Sequence, residues 1–599
     1  MSATHEPAFD LEALRARYRA ERDKRLRADG IAQYREVAGD FARYVEDPYV
    51  EPGFTRAPLS DEVDALIIGG GFGGLLAGAR LREVGVGKIR IVESGGDFGG
   101  TWYWNRYPGA QCDIESYIYL PLLEELGTLP SEKYAHGPEI LAHAQAIGRH
   151  YGLYDEACFQ TKVTGLEWNE ADRRWIVRSD RGDAIRARFV FMANGPLSRP
   201  KLPGIPGVER FEGHSFHTSR WDYAYTGGDT TGGLHRLADK RVGIIGTGAT
   251  AIQCIPHLGA FAKRLTVFQR TPSSVDARHN RPTDPEFAKQ LAPGWQQARM
   301  DNFNTLVGGG YQEVDLVGDG WTDVFRILMA AVRGEGAVDL SPEEIARRVE
   351  LADMTKMEAI RSRIGSIVED PATAEALKPW YRQFCKRPCF HDEYLPTFNR
   401  PNVELVDTQG RGVERITKTG VVAEGREYPV DCLIFATGFE VGTRYQRRAG
   451  YDLVGRGGLA LSQKWKDRMS TFQGFYSRGF PNCFFMLGLQ SGLTPNIPHA
   501  INEQAKHLAF VVAHALRHGH TQIEASEAAE RDWVALIRSG EGRSTEFFET
   551  CTPSYYNNEG KPGEGDGWFG GFHPDGSEAL FRLYREWRAA GRFDGLEFA

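Results

Sequence analysis

The sequence predicts an α/β fold with two wound strand–helix–strand units, a helical insertion in the second and a helical extension ahead of the first. Three observations carry this reading. An apolar strand, Val63-Asp-Ala-Leu-Ile-Ile68, runs directly into Gly69-Gly-Gly-Phe-Gly-Gly74. A second, Arg241-Val-Gly-Ile-Ile245, runs into Gly246-Thr-Gly-Ala-Thr-Ala251. A helix-like stretch and a further strand follow each turn, which is the order of a dinucleotide-binding (Rossmann-like) unit.

The chain has 599 residues, enough for about two to four domains with cores of their own. Charged residues make up 25% and hydrophobic ones 41%, an ordinary globular mix. A formal net charge of -8 gives no electrostatic footprint for nucleic acid. No apolar run reaches the length of a membrane span, and the N-terminus lacks a basic start followed by an apolar core. Eight cysteines lie scattered, which suits a reducing, cytoplasmic setting. Cys385 and Cys389 are separated by three residues, not the two of a redox C-x-x-C, so the thiols read as structural or incidental. No metal-ligand spacing is expected, and oligomeric state, monomer or homo-oligomer, stays open.

Residues 1–60 form the extension. Leu11, Leu14, Tyr18 and Leu26 make a helical stripe that Asp10 caps and Gly30 ends. A short second helix is expected over Ile31 to Val45, and the whole extension is expected to pack outside the core. Residues 61–210 hold the first nucleotide unit. Gly69 permits the tight turn, Gly71 lets backbone approach a pyrophosphate, and Gly74 lets helix and strand pack closely. The helix that follows presents unpaired N–H groups to phosphate. The next strand, Lys88-Ile-Arg-Ile-Val92, ends at Glu93, about 20 residues on, where an acid accepts hydrogen bonds from ribose hydroxyls. Val163, opening the hairpin that includes Gly165–Asn169 and Arg174–Arg178, counts as a further cofactor contact.

The second unit spans residues 211–385. Gly246, Thr247, Gly248 and Ala251 form its turn. Its next strand, Arg264-Leu-Thr-Val-Phe268, ends in Gln269-Arg270-Thr271. An acid there would suit a free 2′-hydroxyl; Arg270 suits a 2′-phosphate and points to NADPH. Residues 283–377 are polar and helical by period, an inserted lobe in which no chemistry is legible. Residues 386–599 are expected to return the chain to the first unit, with a strand over Asp431–Phe439. The glycine-rich stretch Gly563–Gly571 is expected to be a loop that folds over the site.

Two segments narrow the class. Phe211, Gly213, His217, Trp221 and Asp222 fill an F-x-G-x-x-x-H-x-x-x-W-[PD] pattern, and Gly99, Gly100, Trp102, Tyr107, Pro108, Gly109 and Asp113 fill G-G-x-W-x-x-x-x-[FY]-P-G-x-x-x-D. Both resemble the signatures of type I Baeyer–Villiger monooxygenases, nearest to members acting on large cyclic ketones and steroids. The resemblance covers about Val63 to Phe572. It implies that FAD lies along Thr101, Trp102, Tyr103, Trp104, Gln111, Cys112, Asp113 and Tyr119. Lys386 would contact NADPH phosphate, and Arg387, held by Asp113, would be the active-site arginine. Tyr555 stands where many members carry tryptophan beside the nicotinamide. His217 is expected to couple the units, not to act as a base.

The resemblance implies that NADPH reduces FAD, O2 adds at the flavin C4a, and the peroxyflavin attacks a ketone to give a tetrahedral adduct that rearranges to an ester or lactone. The cofactor carries the oxygen chemistry and the protein supplies orientation and charge. Two alternatives use the same fold: an N- or S-oxygenating flavin monooxygenase, and a flavin-binding regulatory protein without turnover. Trp221-Asp222 and Lys386-Arg387 oppose the first, and intact Arg387 and Asp113 oppose the second.

Overall fold

A computed structural model describes residues 9–333, 340–486, 489–492, 494–562 and 570–599. Most of the expected loop Gly563–Gly571 lies outside these residues. Among the described residues, two sheets of mainly parallel strands organise the molecule. The first runs in the order Leu453–Val454, Val163–Asn169, Arg174–Ser179, Ala184–Met192, Glu62–Ile68, Ile89–Val92, Ala157–Cys158, with Cys483–Phe485 also pairing to Ala184–Met192. Its central strand Glu62–Ile68 feeds two apolar cores, Ala65 and Ile67 packing with Leu75 and Leu76 of the following helix and Val63, Leu66 and Ile68 with Trp168 and Trp175 of the antiparallel strands. The helix Phe72–Glu83 packs on one face against the long helix Ile497–His518.

The second sheet is wholly parallel and runs Val403–Asp407, Arg264–Gln269, Arg241–Ile245, Cys432–Phe435, His214–His217. This corrects the expected boundary. The strands Val403–Asp407 and Cys432–Phe435 belong to the second sheet, so the chain returns to the first only after Phe435, not at residue 386. Apolar runs of four or five residues carry no mark of the sheet they join. The strand within Asp431–Phe439 is Cys432–Phe435, and Ala436-Thr437-Gly438 turns from it into the cavity between the sheets.

The insertion is helical throughout its described part: Pro285–Lys289, Trp295–Val307, Gly320–Arg333, Pro342–Ile367 and Pro371–Leu377. Asp284, Ser341 and Asp370 cap three of these helices with side-chain oxygens, each followed by proline in the first turn. Val275–Asp276 and Cys389–Phe390 pair in parallel, closing the base of the insertion like a neck.

The extension departs from expectation. Leu11–Asp23 is the predicted helix, capped by Asp10, but Ile31 to Val45 forms 3-10 turns at Gly30–Gln33 and Gly39–Val45 around a short strand, Tyr34–Arg35. That strand pairs with Leu202–Pro203, which draws Gln33 and Tyr34 into the wall of the central cavity. The first helix packs Leu14 and Tyr18 against Met354 and Trp380 of and beside the insertion. The extension is therefore part of the working interior.

One glycine shows how tightly the first turn is built. A Cβ on Gly74 would sit 1.9 Å from the Gly69 carbonyl oxygen, and neither atom belongs to a side chain that could move. Gly74→Ala should therefore be isolated with little bound flavin and a lowered Tm. Unchanged flavin absorbance and Tm in the purified variant would contradict this packing.

Candidate active site between the two sheets

A cavity of about 1610 Å3 lies between the sheets and receives both glycine turns. Parallel strands of both sheets end on it, the position where wound α/β sheets take their ligands. Gly69 and Gly246 adopt the left-handed φ values of +111° and +114° that the two turns need. The helices Phe72–Glu83 and Ala249–Phe261 begin at Gly71 and Gly248 with no side-chain cap. Their first N–H groups are left to an external anion, which fits a pyrophosphate at each turn.

Most of the expected cofactor contacts line this cavity: Gly69, Gly71, Glu93, Thr101, Trp102, Trp104, Gln111, Cys112, Asp113, Tyr119 and Val163 from the first unit. Gly246, Thr247, Gly248, Gln269, Arg270, Thr271, Lys386, Arg387 and Tyr555 line its other part. Three residues do not. Gly74 and Ala251 are packing positions under their turns. Tyr103 is corrected: it does not line the cavity, and its ring packs edge-on between Tyr49 of the extension and Trp104, at centroid distances of 5.9 and 5.0 Å. Its hydroxyl donates to Asp47 at 2.7 Å and accepts from Gly96 N–H at 2.8 Å, tying down the extension.

Glu93 is buried, and its carboxylate already accepts from the N–H groups of Gly70 and Gly95, both at 2.6 Å. These bonds, with one from the Ser94 hydroxyl at 3.2 Å, shape the turn, and Glu93 lines the cavity at the place where an acid would meet a ribose. Trp102 donates its indole N–H to the Tyr119 hydroxyl at 3.1 Å, so two rings of the expected flavin wall fix one another.

Asp113 and Arg387 meet across the cavity wall. Arg387 Nη2 donates to both carboxylate oxygens, at 2.7 and 2.6 Å. The negative charge of Asp113 raises the guanidinium pKa further, so Arg387 stays cationic throughout the working pH range. Asp113 is positioned from both sides. Trp321, at the start of the insertion helix Gly320–Arg333, donates its indole N–H to the Asp113 carbonyl at 3.0 Å. Gln253, on the helix of the second glycine turn, donates to the Gln111 carbonyl at 2.9 Å and accepts from Tyr107 at 2.7 Å. Arg278 donates to the Gln111 side chain.

Gln253, Trp321 and Arg278 were not read from the sequence, because a lone glutamine or tryptophan in a helix gives no periodic or spacing signal. Arg220 was missed as well: it lines the cavity with its guanidinium 3.8 Å over the Trp104 ring. The signature residues around it serve the frame. Trp221 is buried, Asp222 pairs with His214 at 2.9 Å, and none of Phe211, Gly213, His217, Trp221 or Asp222 lines the cavity. Burial holds His217 neutral, pushing its pKa down to about 3, which suits a packed junction residue.

The cysteine reading also needs correction. Cys385 and Cys551 form a disulfide, linking the segment of Lys386-Arg387 to that of Tyr555. Their separation of 166 residues hides the pair from any spacing rule. The remaining six cysteines are buried thiols. Among the described residues no group of His, Cys, Asp and Glu suits a metal ion, and no helix is long and apolar enough to cross a membrane.

Residues 63–293 match the family profile described as pyridine nucleotide-disulphide oxidoreductase. A neopentalenolactone D synthase of Streptomyces avermitilis is 58% identical over 98% of this chain and 99% of its own length. A Baeyer–Villiger monooxygenase of Stachybotrys chlorohalonatus is 49% identical over 98% of this chain and 94% of its own. The solved polycyclic ketone monooxygenase of Thermothelomyces thermophila superposes with a TM-score of 0.91 at 39% identity, covering 98% of this chain and 99% of that one.

Lys386 yields a test of the phosphate site. Burial, and then the charge of Arg270, pushes its ammonium pKa down to about 8. The protonated amine is the form that pairs with phosphate, so kcat/KM for NADPH should fall as pH rises through about 8. Lys386→Arg, whose charge persists, should flatten that limb; a limb that survives unchanged assigns it elsewhere.

Proposed function

Because the chain belongs to the Baeyer–Villiger monooxygenases, and so is an FAD- and NADPH-dependent enzyme acting on bulky ketones, we propose that its substrate is a polycyclic ketone bound against the Asp113–Arg387 pair and converted to a lactone. That ion pair, set in the wall of the cavity which both glycine turns share, is the observation that carries the reading. When bound, NADPH would supply two electrons and FAD would use them to activate O2, one oxygen atom of which enters the product while the other leaves as water. The residues fit both: the uncapped turn at Gly71 with Glu93 for FAD, and the turn at Gly248 with Arg270 and Lys386 for NADPH.

The chain's own contribution is charge, shape and exclusion of water. Arg387 offers fixed N–H donors to the oxygen atom that gains negative charge when the ketone carbonyl is attacked. Asp113 keeps one guanidinium nitrogen occupied and leaves the others to reach the substrate. This role is positional: a preorganised donor costs no rearrangement at the moment of reaction. Trp321 and Phe325 of the insertion, with Phe384 and Phe548, present rings to the same cavity, a surface that suits a rigid fused-ring ketone. Phe325 and Phe384 pack with ring centroids 5.2 Å apart immediately before Cys385-Lys386-Arg387, so the wall and the arginine share one support. The relatives named as pentalenolactone-type synthases and polycyclic ketone and steroid monooxygenases favour the same substrate class.

The direct test incubates the FAD-loaded enzyme with NADPH, air and a panel of monocyclic, fused-ring and steroid ketones, and reads product mass and structure. Lactones one oxygen heavier should form best from fused-ring ketones. Arg387→Ala should lower kcat for lactone by about 10²–10³-fold, the scale of one preorganised donor. Oxygenation of amines or sulfides with no ketone product would overturn the proposal. Trp321→Ala removes both a wall ring and the bond to the Asp113 carbonyl. It should shift preference among the ketones and raise the share of NADPH lost to hydrogen peroxide.

A further inference from the structure

The phosphate end of the NADPH site already contains an anion of the protein's own. Arg270, Lys386, Lys201 and Glu559 all line the cavity there. Lys201 is buried, its ammonium 4.0 Å over the Tyr34 ring. Glu559 is 4% exposed; its Oε2 lies 3.3 Å from Arg270 Nη2, and its Oε1 accepts from the Tyr34 hydroxyl at 3.1 Å. Arg270 completes its fork on the Gln33 side chain at 2.7 Å. A cluster of cations in a cavity wall, with Lys201 buried and Arg270 and Lys386 half-buried, needs a counter-charge, and Glu559 is the carboxylate that faces it.

The backbone that delivers Glu559 is unusual. Asn558 and Glu559 are consecutive non-glycine residues with left-handed φ values of 52° and 56°. Such conformations persist where surrounding contacts over-determine them. Here the contacts are the Ser554 cap, the bond from Glu559 N–H to the Ser554 carbonyl at 2.8 Å, and the ion pair itself. The same short segment carries Tyr555 and Tyr556 into the cavity beside Arg387.

We propose that Glu559 holds the place of the NADPH 2′-phosphate, and that the phosphate must displace it, releasing residues 552–561 and so reporting dinucleotide binding to the Arg387 end of the cavity. This rests on Arg270 as the 2′-phosphate holder. A phosphate dianion beside an ionised carboxylate in one buried site is repelled. The two anions therefore exchange on Arg270 and do not share it. Glu559 makes the site selective as well: a ligand without the 2′-phosphate has no means of displacing it.

The test uses FAD-loaded protein with adenosine 2′,5′-bisphosphate, which carries the 2′-phosphate, and 5′-ADP, which does not. Neither reaches the nicotinamide end. The bisphosphate should speed amide hydrogen exchange across residues 552–561 by about tenfold or more in the wild-type protein, and 5′-ADP should leave it unchanged. In Glu559→Gln, calorimetry should show the bisphosphate binding about tenfold tighter, with 5′-ADP changed by less than about twofold. Exchange at 552–561 that slows or stays constant with the bisphosphate overturns the proposal, whether or not the variant folds. So does equal or weaker bisphosphate binding by Glu559→Gln. Arg270→Ala tells the two readings apart. If it fails to weaken the bisphosphate selectively, the assignment of Arg270 falls, and the exchange proposal with it.

Discussion

Asp113 and Arg387 come from distant parts of the chain, one on a loop leaving the first sheet and one on the limb returning from the insertion, and their ion pair forms only when both sheets, the insertion and the return limb are in place. Asp113 is buried while Arg387 stays partly exposed to the cavity, and a buried carboxylate is costly unless it is well bonded. Here Asp113 receives two bonds from one guanidinium nitrogen, while its backbone is held by Trp321 and its loop by Gln253. The stabilisation lies less in the pair than in the supports that bring its members within reach.

Those supports explain why so much of the molecule converges on one cavity. The helix that begins at the second glycine turn also carries Gln253, so that turn and the loop Gln111–Asp113 are fixed by one element. The first helix of the extension leans on the insertion, and its following strand places Gln33 and Tyr34 against Arg270. The disulfide joins the limb of Arg387 to the tyrosine segment that faces it. Each contact crosses between parts of the chain that a sequence reading treats separately.

The local features were legible and the long-range ones were not. Both glycine turns, their strands and Arg270 follow from short motifs with a direct physical meaning. Arg387 and Asp113 were reached only through resemblance, since adjacent basic residues and a loop aspartate carry no pattern of their own. Tyr103 was misplaced because Asp47 and Tyr49 of the extension, more than fifty residues earlier, engage it outside the cavity, a contact an aromatic run does not reveal. The expected return to the first sheet at residue 386 failed for a similar reason. Val403–Asp407 and Cys432–Phe435 are ordinary apolar strands, and only tertiary pairing assigns them to the second sheet. Burial of the extension near Arg270 depended on a two-residue strand too short to show a period.

The neck formed by Val275–Asp276 and Cys389–Phe390 has a consequence for how the protein can vary. It closes the base of the insertion onto the second unit, and the helix Pro342–Ile367 is tied to it, Lys356 pairing with Asp276 at 2.8 Å and Arg363 donating to the Val275 carbonyl at 3.2 Å. Sequence change elsewhere in the lobe can therefore reshape the cavity wall at Trp321 and Phe325 while these ties keep the neck in register. Arg387 lies two residues before the returning strand of that neck, on the fixed side of the boundary. Trp321, which holds the Asp113 carbonyl, lies on the lobe itself, so the lobe carries one support of the ion pair as well as part of the cavity wall.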